Sequence, residues 1–272
     1  LKTEIQETNE KLDTDYSAFV VKQQEEQAKK AAAAPAPSTS SAKGYSYSTV
    51  KISQGTFGVY LIKYSLSEAR VKTLSANTST CKDNCPTKSL GDYVKDGKGF
   101  AGIHGSYFCP PDYSSCNGKV NSYDYALYNS DLGKWLSKDS LGWSKTGLAT
   151  FKGNSAKFYK KSTDYGDSSV TAGIVNYPML LIDNKVVIDN SDLTSYQKDT
   201  RGTRGALGID DKNIYLAIIT GATVPEAAYV MKELGAKDAL NLDGGGSSAM
   251  YINGNYVVGP GRSLPNAIIL YK

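Results

Sequence analysis

The segment from Asn241 to Ser248 reads Asn-Leu-Asp-Gly-Gly-Gly-Ser-Ser and combines residue types that could bind and act on an anionic ligand. Three successive glycines free backbone N–H groups to face a ligand, and such a nest suits an anion, typically a phosphate. Asp243 supplies a carboxylate before the glycines, and Ser247 supplies a hydroxyl after them. The competing interpretation is a tight glycine-rich turn, but the flanking Asp and Ser residues favour a function. No GxxxxGK[ST] motif is present, so the segment is not a nucleotide P-loop.

Two arginines and the single histidine of the chain could complete such a site. Arg204 lies in TRGALGID and Arg262 in GPGRSLPNA. Arginine clamps phosphate through a planar fork of donors, although a single arginine is more often a solvated surface residue. His104 lies in FAGIHGSYF and could be a general acid or base, or a neutral hydrogen-bonding group. A lone histidine in an apolar stretch is more often structural.

The four cysteines form two close pairs in polar loops, Cys81 with Cys85 and Cys109 with Cys116. Four cysteines allow three pairings, and the sequence does not choose among them. A zinc site of four thiolates is the alternative, but these spacings fit the usual CxxC knuckle poorly. We therefore expect disulfides, which belong outside the cytosol, and predict a secreted or cell-envelope protein.

The elements that must position these residues are mostly strands. TVKIS, FGVYLIKY and ARVKTL alternate apolar and polar residues, which is typical of strands with one solvated face. MLLIDNKVVID predicts a hairpin around Asp183 and Asn184, residues that tolerate turn geometry. The NG pair at Asn253 and Gly254 predicts a second hairpin, and residues 266–271 predict a last strand.

A strand, a helix and a strand precede the glycine-rich segment. Residues 214–220 predict a buried strand, and Thr223 with Glu226 forms a capping box that starts a helix. Gly235 ends this helix, and residues 239–242 predict the next strand, so that Asp243 stands at a strand end. Such a crossover predicts at least one parallel strand pair. The predicted fold class is α+β, with a mixed, mostly antiparallel sheet and few helices.

The first 44 residues differ in composition from the rest. Residues 1–30 predict an exposed polar helix, and residues 31–44 an Ala/Pro/Ser linker that cannot build a core. Residues 45–272 are the predicted catalytic domain. Residue 1 is Leu, so we expect a processed chain from which any signal peptide or membrane anchor has been removed. The helix and linker resemble a stalk, and a flexible leader without a task is the alternative. The helix allows self-association but does not require it.

Composition excludes several classes of protein. The chain has 272 residues, 40% of them hydrophobic, and a net charge of +4, which fits a folded protein without the dense basic stripes that hold nucleic acid. One histidine excludes an HExxH zinc site. No apolar segment approaches the ~18 residues of a membrane span. We expect no nucleic-acid partner, no metal and no cofactor.

Several segments together resemble the phosphodiester glycosidase family. NLDGGGSSAM, the hairpin after it and RSLPNAIIL are similar to the family's C-terminal pattern. TRGALGID, FAGIHGSYF and GIVNYPMLLIDNK are similar to three upstream segments, so the resemblance covers about residues 45–272. The chain departs from the pattern at His104, where members usually carry Asn, and at Gly261, where they often carry Glu. The first departure changes the donors beside the ligand, and the second removes a carboxylate.

The resemblance implies hydrolysis of a sugar-1-phosphodiester, with cleavage between the anomeric carbon and the phosphate oxygen. The expected partner is therefore a phosphate-linked saccharide or polysaccharide. Phosphate is a good leaving group, so the site must mainly bind the anion and stabilise an oxocarbenium-like centre. On this hypothesis Asp243 acts at the sugar, as nucleophile or as base for water, with Arg204 and His104 as the other catalytic residues. The residues expected to bind the phosphate are Arg204, Arg262, Ser247, Ser248 and the amides of Gly244, Gly245 and Gly246. The residues expected to orient the sugar hydroxyls or the phosphate are Asn176, Asn241, Asn266 and His104.

Three other functions fit parts of the sequence. A non-catalytic binder of cell-envelope glycan fits the 20 tyrosines, which also suit an exposed sheet, and the missing Glu. A metal-dependent phosphodiesterase that cuts P–O bonds needs clustered carboxylates and histidines, and Asp243 has no such companions in sequence. A purely structural envelope protein gives the Gly-Ser segment no purpose.

Overall fold

The computed structural model of the protein describes residues 42–166 and 168–272. The polar helix predicted over residues 1–30, and the predicted linker up to residue 41, lie outside the described residues. No helix in the described part is both long enough and apolar enough to cross a membrane.

The described chain forms three sheets of seven, five and five strands. In hydrogen-bonded order, the first contains β1 (Tyr45–Ile52), β2 (Gly55–Ser65), β13 (Asn213–Ala222), β12 (Gly202–Ile209), β14 (Asp238–Gly244), β10 (Met179–Ile182) and β11 (Lys185–Val186). The second contains β16 (Asn255–Val258), β15 (Met250–Ile252), β4 (Ala101–His104), β17 (Asn266–Tyr271) and β3 (Arg70–Ser75). The third contains β6 (Lys134–Leu136), β5 (Leu127–Asn129), β9 (Ala172–Asn176), β7 (Gly147–Lys152) and β8 (Ser155–Tyr159). The α-helices are α1 (Leu90–Asp96), α2 (Ser195–Asp199) and α3 (Val224–Glu233).

Every strand pair within the described residues is antiparallel. The predicted crossover is present as β13, α3 and β14, but the parallel pair expected from it is wrong. Strand β12 lies between β13 and β14 and pairs antiparallel with both. The two outer strands therefore share a direction without sharing hydrogen bonds, because the helix crosses two strand positions. The α+β class with mostly antiparallel strands and few helices is confirmed, although three sheets replace the single mixed sheet.

The local turn and cap signals of the sequence are confirmed. Asn253 and Gly254 both adopt positive φ between β15 and β16. Asp183 and Asn184 do the same between β10 and β11. At the start of α3, both hydrogen bonds of the capping box between Thr223 and Glu226 are present. These signals work because each acts within a few residues of the chain.

One apolar core holds the three sheets together. Leu216 of the first sheet, Ile103 of the second and Phe151 of the third are buried in the same cluster. Helix α3 covers the other face of the first sheet, where Met231 is fully buried. Helix α1 covers the second sheet in the same way with Tyr93. Strands β4 and β14 are therefore interior strands of two packed sheets, and their ends form a rigid frame.

Candidate active site

Asp243 stands where the first and second sheets meet. It is the second-last residue of β14, just before a 3-10 turn over Gly245–Ser247. Its backbone N–H donates to the carbonyl of Gly105, directly after β4, at 3.0 Å. The residue is half-buried, and Oδ1 accepts the N–H of Gly244 at 2.8 Å. Two sheets thus hold the backbone of Asp243, which fixes its carboxylate as a reactive group requires.

His104 lies beneath Asp243 and is fully buried. Its Nε2 lies 2.7 Å from the backbone oxygen of Asp243, and its Nδ1 accepts the N–H of Ala249 at 3.2 Å. A carbonyl oxygen only accepts, so these contacts assign the proton to Nε2. Burial lowers the pKa of His104, which keeps the ring neutral. Both nitrogens are engaged inside the protein, so the ring positions Asp243 and does not face a ligand.

Gly205 provides the space for this arrangement. A Cβ on Gly205 of β12 would lie 2.2 Å from Nε2 of His104 and 2.7 Å from the backbone oxygen of Asp243. Both distances are shorter than real Cβ contacts allow, so the histidine, the carbonyl and the glycine fit only together. In the sequence, the TRGALGID segment stands out for its arginine, and no local signal marks this glycine.

Arg262 forms the cationic side of the site. Its Nη1 donates to Oγ of Ser247 at 3.3 Å, and its Nη2 donates to Oδ2 of Asp112 at 2.5 Å. The guanidinium carbon lies 5.3 Å from the ring centre of Tyr113. Ser247 and the charge of Arg262 both lower the pKa of Asp243 against the rise that burial causes. Arg262, Ser247 and Asp243 therefore lie close enough to interact, with Ser247 buried.

A disulfide loop supplies two of these neighbours. The structure pairs Cys109 with Cys116 and Cys81 with Cys85, which are the two local pairings. The loop closed by the first disulfide carries Asp112 and Tyr113 to Arg262. No sequence signal connected this loop to Arg262, which is 150 residues away from Asp112.

The predicted glycine nest is only partly available. The N–H of Gly244 is taken by the Asp243 carboxylate, so it is not a donor for a ligand. Gly245 has φ +55, a conformation that favours glycine, and nothing lies within 4 Å of the position of its missing Cβ. Gly246 accepts the N–H of Arg262 at 3.0 Å through its carbonyl. Gly245 therefore lies at an open side of the segment, and Gly244 offers no free amide to a ligand.

Arg204 is buried and held by the backbone. Its Nε donates to the carbonyl of Ala222 at 3.1 Å, and its Nη2 donates to that of Thr200 at 2.6 Å. The guanidinium stacks 5.3 Å from the ring centre of Tyr196. Its positive charge nevertheless lowers the pKa of Tyr107, whereas the negative charge of Asp243 raises it. Arg204 contributes positive potential to the site while it fixes the segment around α2.

The three predicted asparagines are all buried and hold the segment after β4. Asn266 accepts the N–H of Ser106 at 2.9 Å and donates to its hydroxyl at 3.0 Å. Asn176 accepts the N–H of Tyr107 at 3.2 Å and donates to the carbonyl of Asn241 at 2.7 Å. Asn176 and Asn266 therefore position the polypeptide around Asp243.

Tyr107 is a site residue that the sequence did not reveal. Its hydroxyl accepts Nδ2 of Asn241 at 2.7 Å and Nε2 of Gln197 at 3.2 Å. With both lone pairs occupied, the phenolic hydrogen is left to donate toward a third group. Burial raises the pKa of Tyr107, and the charge of Asp243 adds to that rise, so the phenol stays protonated. The segment FAGIHGSYF stands out for its histidine, and nothing distinguishes one tyrosine among 20.

Two buried polar atoms of the glycine-rich segment have no partner within the described residues. They are Oδ1 of Asn241 and Oγ of Ser248. Leaving a buried acceptor or hydroxyl unpaired costs about 1–3 kcal/mol, so such atoms mark places where a ligand or water completes the structure. Both lie within five residues of Asp243 in the sequence.

Comparisons with known proteins give the family and the fold of the chain. A model of the family described as phosphodiester glycosidase matches residues 98–271. The chain is similar to the zebrafish N-acetylglucosamine-1-phosphodiester alpha-N-acetylglucosaminidase catalytic domain auto-inhibited by pro-peptide. The TM-score is 0.64 and the identity 15%, over 84% of this chain and 82% of that one. A hypothetical protein from Synechocystis gives a TM-score of 0.57 and an identity of 16%, over 83% of this chain and 61% of that one.

This chain thus spans about three fifths of the Synechocystis protein, with 61% of it covered. No curated protein matches the sequence at a significant level. At identities of 15% and 16%, the two structures show a shared fold and nothing finer.

Proposed function

The chain belongs to the phosphodiester glycosidase family, and from this premise we propose that it hydrolyses a sugar-1-phosphodiester at the glycosyl C–O bond. Water adds its oxygen to the anomeric carbon, and the phosphate keeps the bridging oxygen and leaves as a monoester. The proposed substrate is a phosphate-linked saccharide of the cell exterior or envelope. The two disulfides support this location, because such bonds persist outside the cytosol.

One observation carries the proposal: Asp243 interacts with both a cationic group and a neutral donor. Arg262 donates to the Ser247 hydroxyl, and both residues lower the pKa of the Asp243 carboxyl. The charge of Asp243 in turn adds to the rise that burial causes in the pKa of Tyr107, so the phenol keeps its proton. A phosphodiester needs a cation, a sugar hydroxyl needs neutral donors, and the anomeric carbon needs a carboxylate. The three requirements meet around one residue.

The groups that interact with Asp243 have the following roles in the proposed reaction. Arg262 and Ser247 bind the phosphate and stabilise the charge that grows on it as the C–O bond breaks. Asp243 stabilises the positive charge at the anomeric carbon, as nucleophile or as base for water. Tyr107 donates to the sugar. Gly245, with open space beside it, and the unpaired Oγ of Ser248 are the remaining ligand contacts.

The other predicted residues are positioning residues in this proposal. His104 and Gly205 fix the backbone of Asp243, and Arg204 fixes the segment before β12. Asn176 and Asn266 fix the segment after β4. Residues 45–272 form the proposed catalytic domain, preceded by the proposed stalk over residues 1–30 and linker over residues 31–44.

The Arg262→Gln variant is expected to lower kcat/KM by about a hundredfold, the usual cost of removing one donor to a developing oxyanion. Arg262→Lys keeps the charge but loses the fork and is expected to lie in between. The matched control is Arg70→Gln, since Arg70 is exposed on β3. Steady-state kinetics with a sugar-1-phosphodiester measure the effect. An Arg262→Gln enzyme within about threefold of the parent contradicts the phosphate-binding role.

The pH dependence of kcat/KM follows from the raised pKa of Asp243. Burial raises this pKa above its ordinary value of 3.8, against the hydrogen bonds from Ser247 and Gly244. The reaction needs the carboxylate, so activity is expected to fall with decreasing pH at a midpoint above 3.8. His104 adds no second step to the pH profile near its ordinary pKa of 6.5, because burial lowers the pKa of this ring. Full activity retained below pH 3.8, in enzyme that recovers when returned to neutral pH, contradicts the assignment.

The direct test of the function is product analysis. The protein is incubated with the α-1-phosphodiester of N-acetylglucosamine, and reducing sugar and phosphate monoester are quantified. Equal release of both supports hydrolysis. Binding without release selects the non-catalytic glycan binder, and loss of turnover with a chelator selects the metal-dependent phosphodiesterase. Either result overturns the proposal.

A further inference from the structure

A cavity of about 610 Å³ opens beside the candidate active site. Its walls come from segments that connect to the strands of the third sheet and from the segment around Asp192, and the lining residues are Tyr125, Gly142, Trp143, Ser144, Lys145, Thr146, Tyr177 and Asp192. Small-molecule sites are concave, mostly apolar and about 300–1,000 Å³ in volume, with a few polar groups that fix orientation. The cavity has these properties, and the reaction centre does not use it.

Three aromatic side chains, Tyr125, Trp143 and Tyr177, line this cavity, which we call the aromatic cavity. Trp143 is 44% exposed, although it is a large apolar side chain. The ring of Tyr125 meets Trp143 edge to face, at 5.9 Å between centroids and an angle of 77°. Trp143 therefore combines a fixed aromatic neighbour with an exposed surface in the lining of the cavity. Flat aromatic faces with polar tips suit the apolar face and hydroxyl rim of a sugar ring.

The polar groups at the rim favour a neutral ligand. Lys145 pairs with the carboxylate of Asp192, and the hydroxyl of Tyr177 donates to the backbone oxygen of Asp192. Cation and anion compensate each other there, so the rim offers hydrogen bonds without a net charge. An anionic ligand would need unpaired cations, whereas a polyol needs donors and acceptors of both kinds.

The wall of the aromatic cavity contacts residues on the sugar side of the active site. The ring of Tyr125 lies 6.3 Å from that of Tyr107. Nδ2 of Asn241 donates to the Tyr107 hydroxyl at 2.7 Å and to the carbonyl of Tyr177 at 2.9 Å, so one amide joins the cavity wall to the reaction centre. In the described chain, none of the hydrogen-bonding partners of Arg262 lines this cavity.

We propose that the aromatic cavity is a subsite for neutral sugar units attached to the sugar that reacts at Asp243. The substrate is then an oligosaccharide or polysaccharide carrying the phosphodiester, and not an isolated monosaccharide ester. This inference rests on the proposed function for its orientation, since the phosphate on Arg262 places the sugar toward Tyr107. The subsite itself requires only the cavity and its rings.

The kinetic test compares two substrates with the same phosphate substituent, the 1-phosphodiesters of N-acetylglucosamine and of its trisaccharide. The parent protein is expected to prefer the trisaccharide by about tenfold in kcat/KM, within the range of one well-placed tryptophan contact. Trp143→Ala is expected to bring the ratio close to one, and Trp143→Phe to keep most of it. The control is Tyr229→Ala, an exposed tyrosine of α3. A parent ratio near one, or an unchanged ratio in Trp143→Ala, overturns the inference.

A binding test separates this inference from the proposed function. The phosphate-free trisaccharides of N-acetylglucosamine and of glucose are titrated into Asp243→Asn protein, with binding read by tryptophan fluorescence and calorimetry. Saturable binding that Trp143→Ala weakens about tenfold supports the subsite, even if no phosphodiester is hydrolysed. Absence of binding by both trisaccharides overturns the subsite, even if the monosaccharide phosphodiester is hydrolysed.

Discussion

Asp243→Asn is expected to lower kcat for a sugar-1-phosphodiester at least about a hundredfold, the scale of a lost acid–base or nucleophilic group. The amide keeps the shape of the carboxyl, and its oxygen still accepts the N–H of Gly244. The change removes the negative charge at the anomeric carbon and little else. Substrate binding should persist, since Arg262 and Ser247 are untouched.

The matched control for this variant is Asp238→Asn. Asp238 begins the same strand, is partly buried and also accepts one backbone N–H, from Asp183 at 2.8 Å. It lies at the other end of β14 from the reaction centre. The control should keep kcat within about twofold, a change of less than ~0.5 kcal/mol in the barrier. An Asp243→Asn enzyme within about tenfold of the parent contradicts the catalytic role.

Gly205→Ala is expected to damage both stability and activity. The new methyl group would lie 2.2 Å from Nε2 of His104 and 2.7 Å from the backbone oxygen of Asp243. Overpacking of this kind costs about 1–3 kcal/mol in the free energy of unfolding. Because the displaced carbonyl belongs to Asp243 itself, a shift of about 1 Å in the carboxylate should cost about a hundredfold in kcat.

Urea unfolding and steady-state kinetics on the same preparation measure both effects. Gly166→Ala is the control, since Gly166 is exposed and nothing lies within 4 Å of its Cβ position. A Gly205→Ala protein with the stability and turnover of the control shows that the histidine, the glycine and the aspartate are not coupled.

The parts of the fold that the sequence predicts well are those set by neighbours in the chain. The turn at Asn253 and Gly254 and the capping box at Thr223 depend on a few consecutive residues. The pairing of β14 with β12 instead of β13 does not, because β13 and α3 separate these two strands in the sequence. A strand-helix-strand pattern fixes the direction of its two strands, and the strand that fills the gap between them comes from an earlier segment.

The candidate site also combines residues that the sequence predicts with contacts that it does not. Asp243, Ser247 and Arg262 are recognisable from residue types that suit an anion, and the structure brings them together. The neutral state of His104 depends on contacts with residues 139 and 145 positions away, which no local pattern reveals. For the same reason, Asp112 was not predicted beside Arg262.

The asparagines illustrate a second limit of sequence patterns. Amide side chains suit sugar hydroxyls and backbone groups equally well, so residue type alone does not decide between them. Asn176 and Asn266 bind main-chain atoms in the structure and are buried. Tyr107, whose phenyl ring is typical of a core residue, instead brings a hydroxyl to the reaction centre.

The bond that the protein cleaves can be identified from the fate of labelled oxygen. Hydrolysis of a sugar-1-phosphodiester by this protein in ¹⁸O-water, followed by mass spectrometry of both products, shows which bond is cut. We expect the label to enter the anomeric hydroxyl of the released sugar and the phosphate monoester to stay unlabelled. Label in the phosphate monoester means that the P–O bond is cut and contradicts the role given to Asp243.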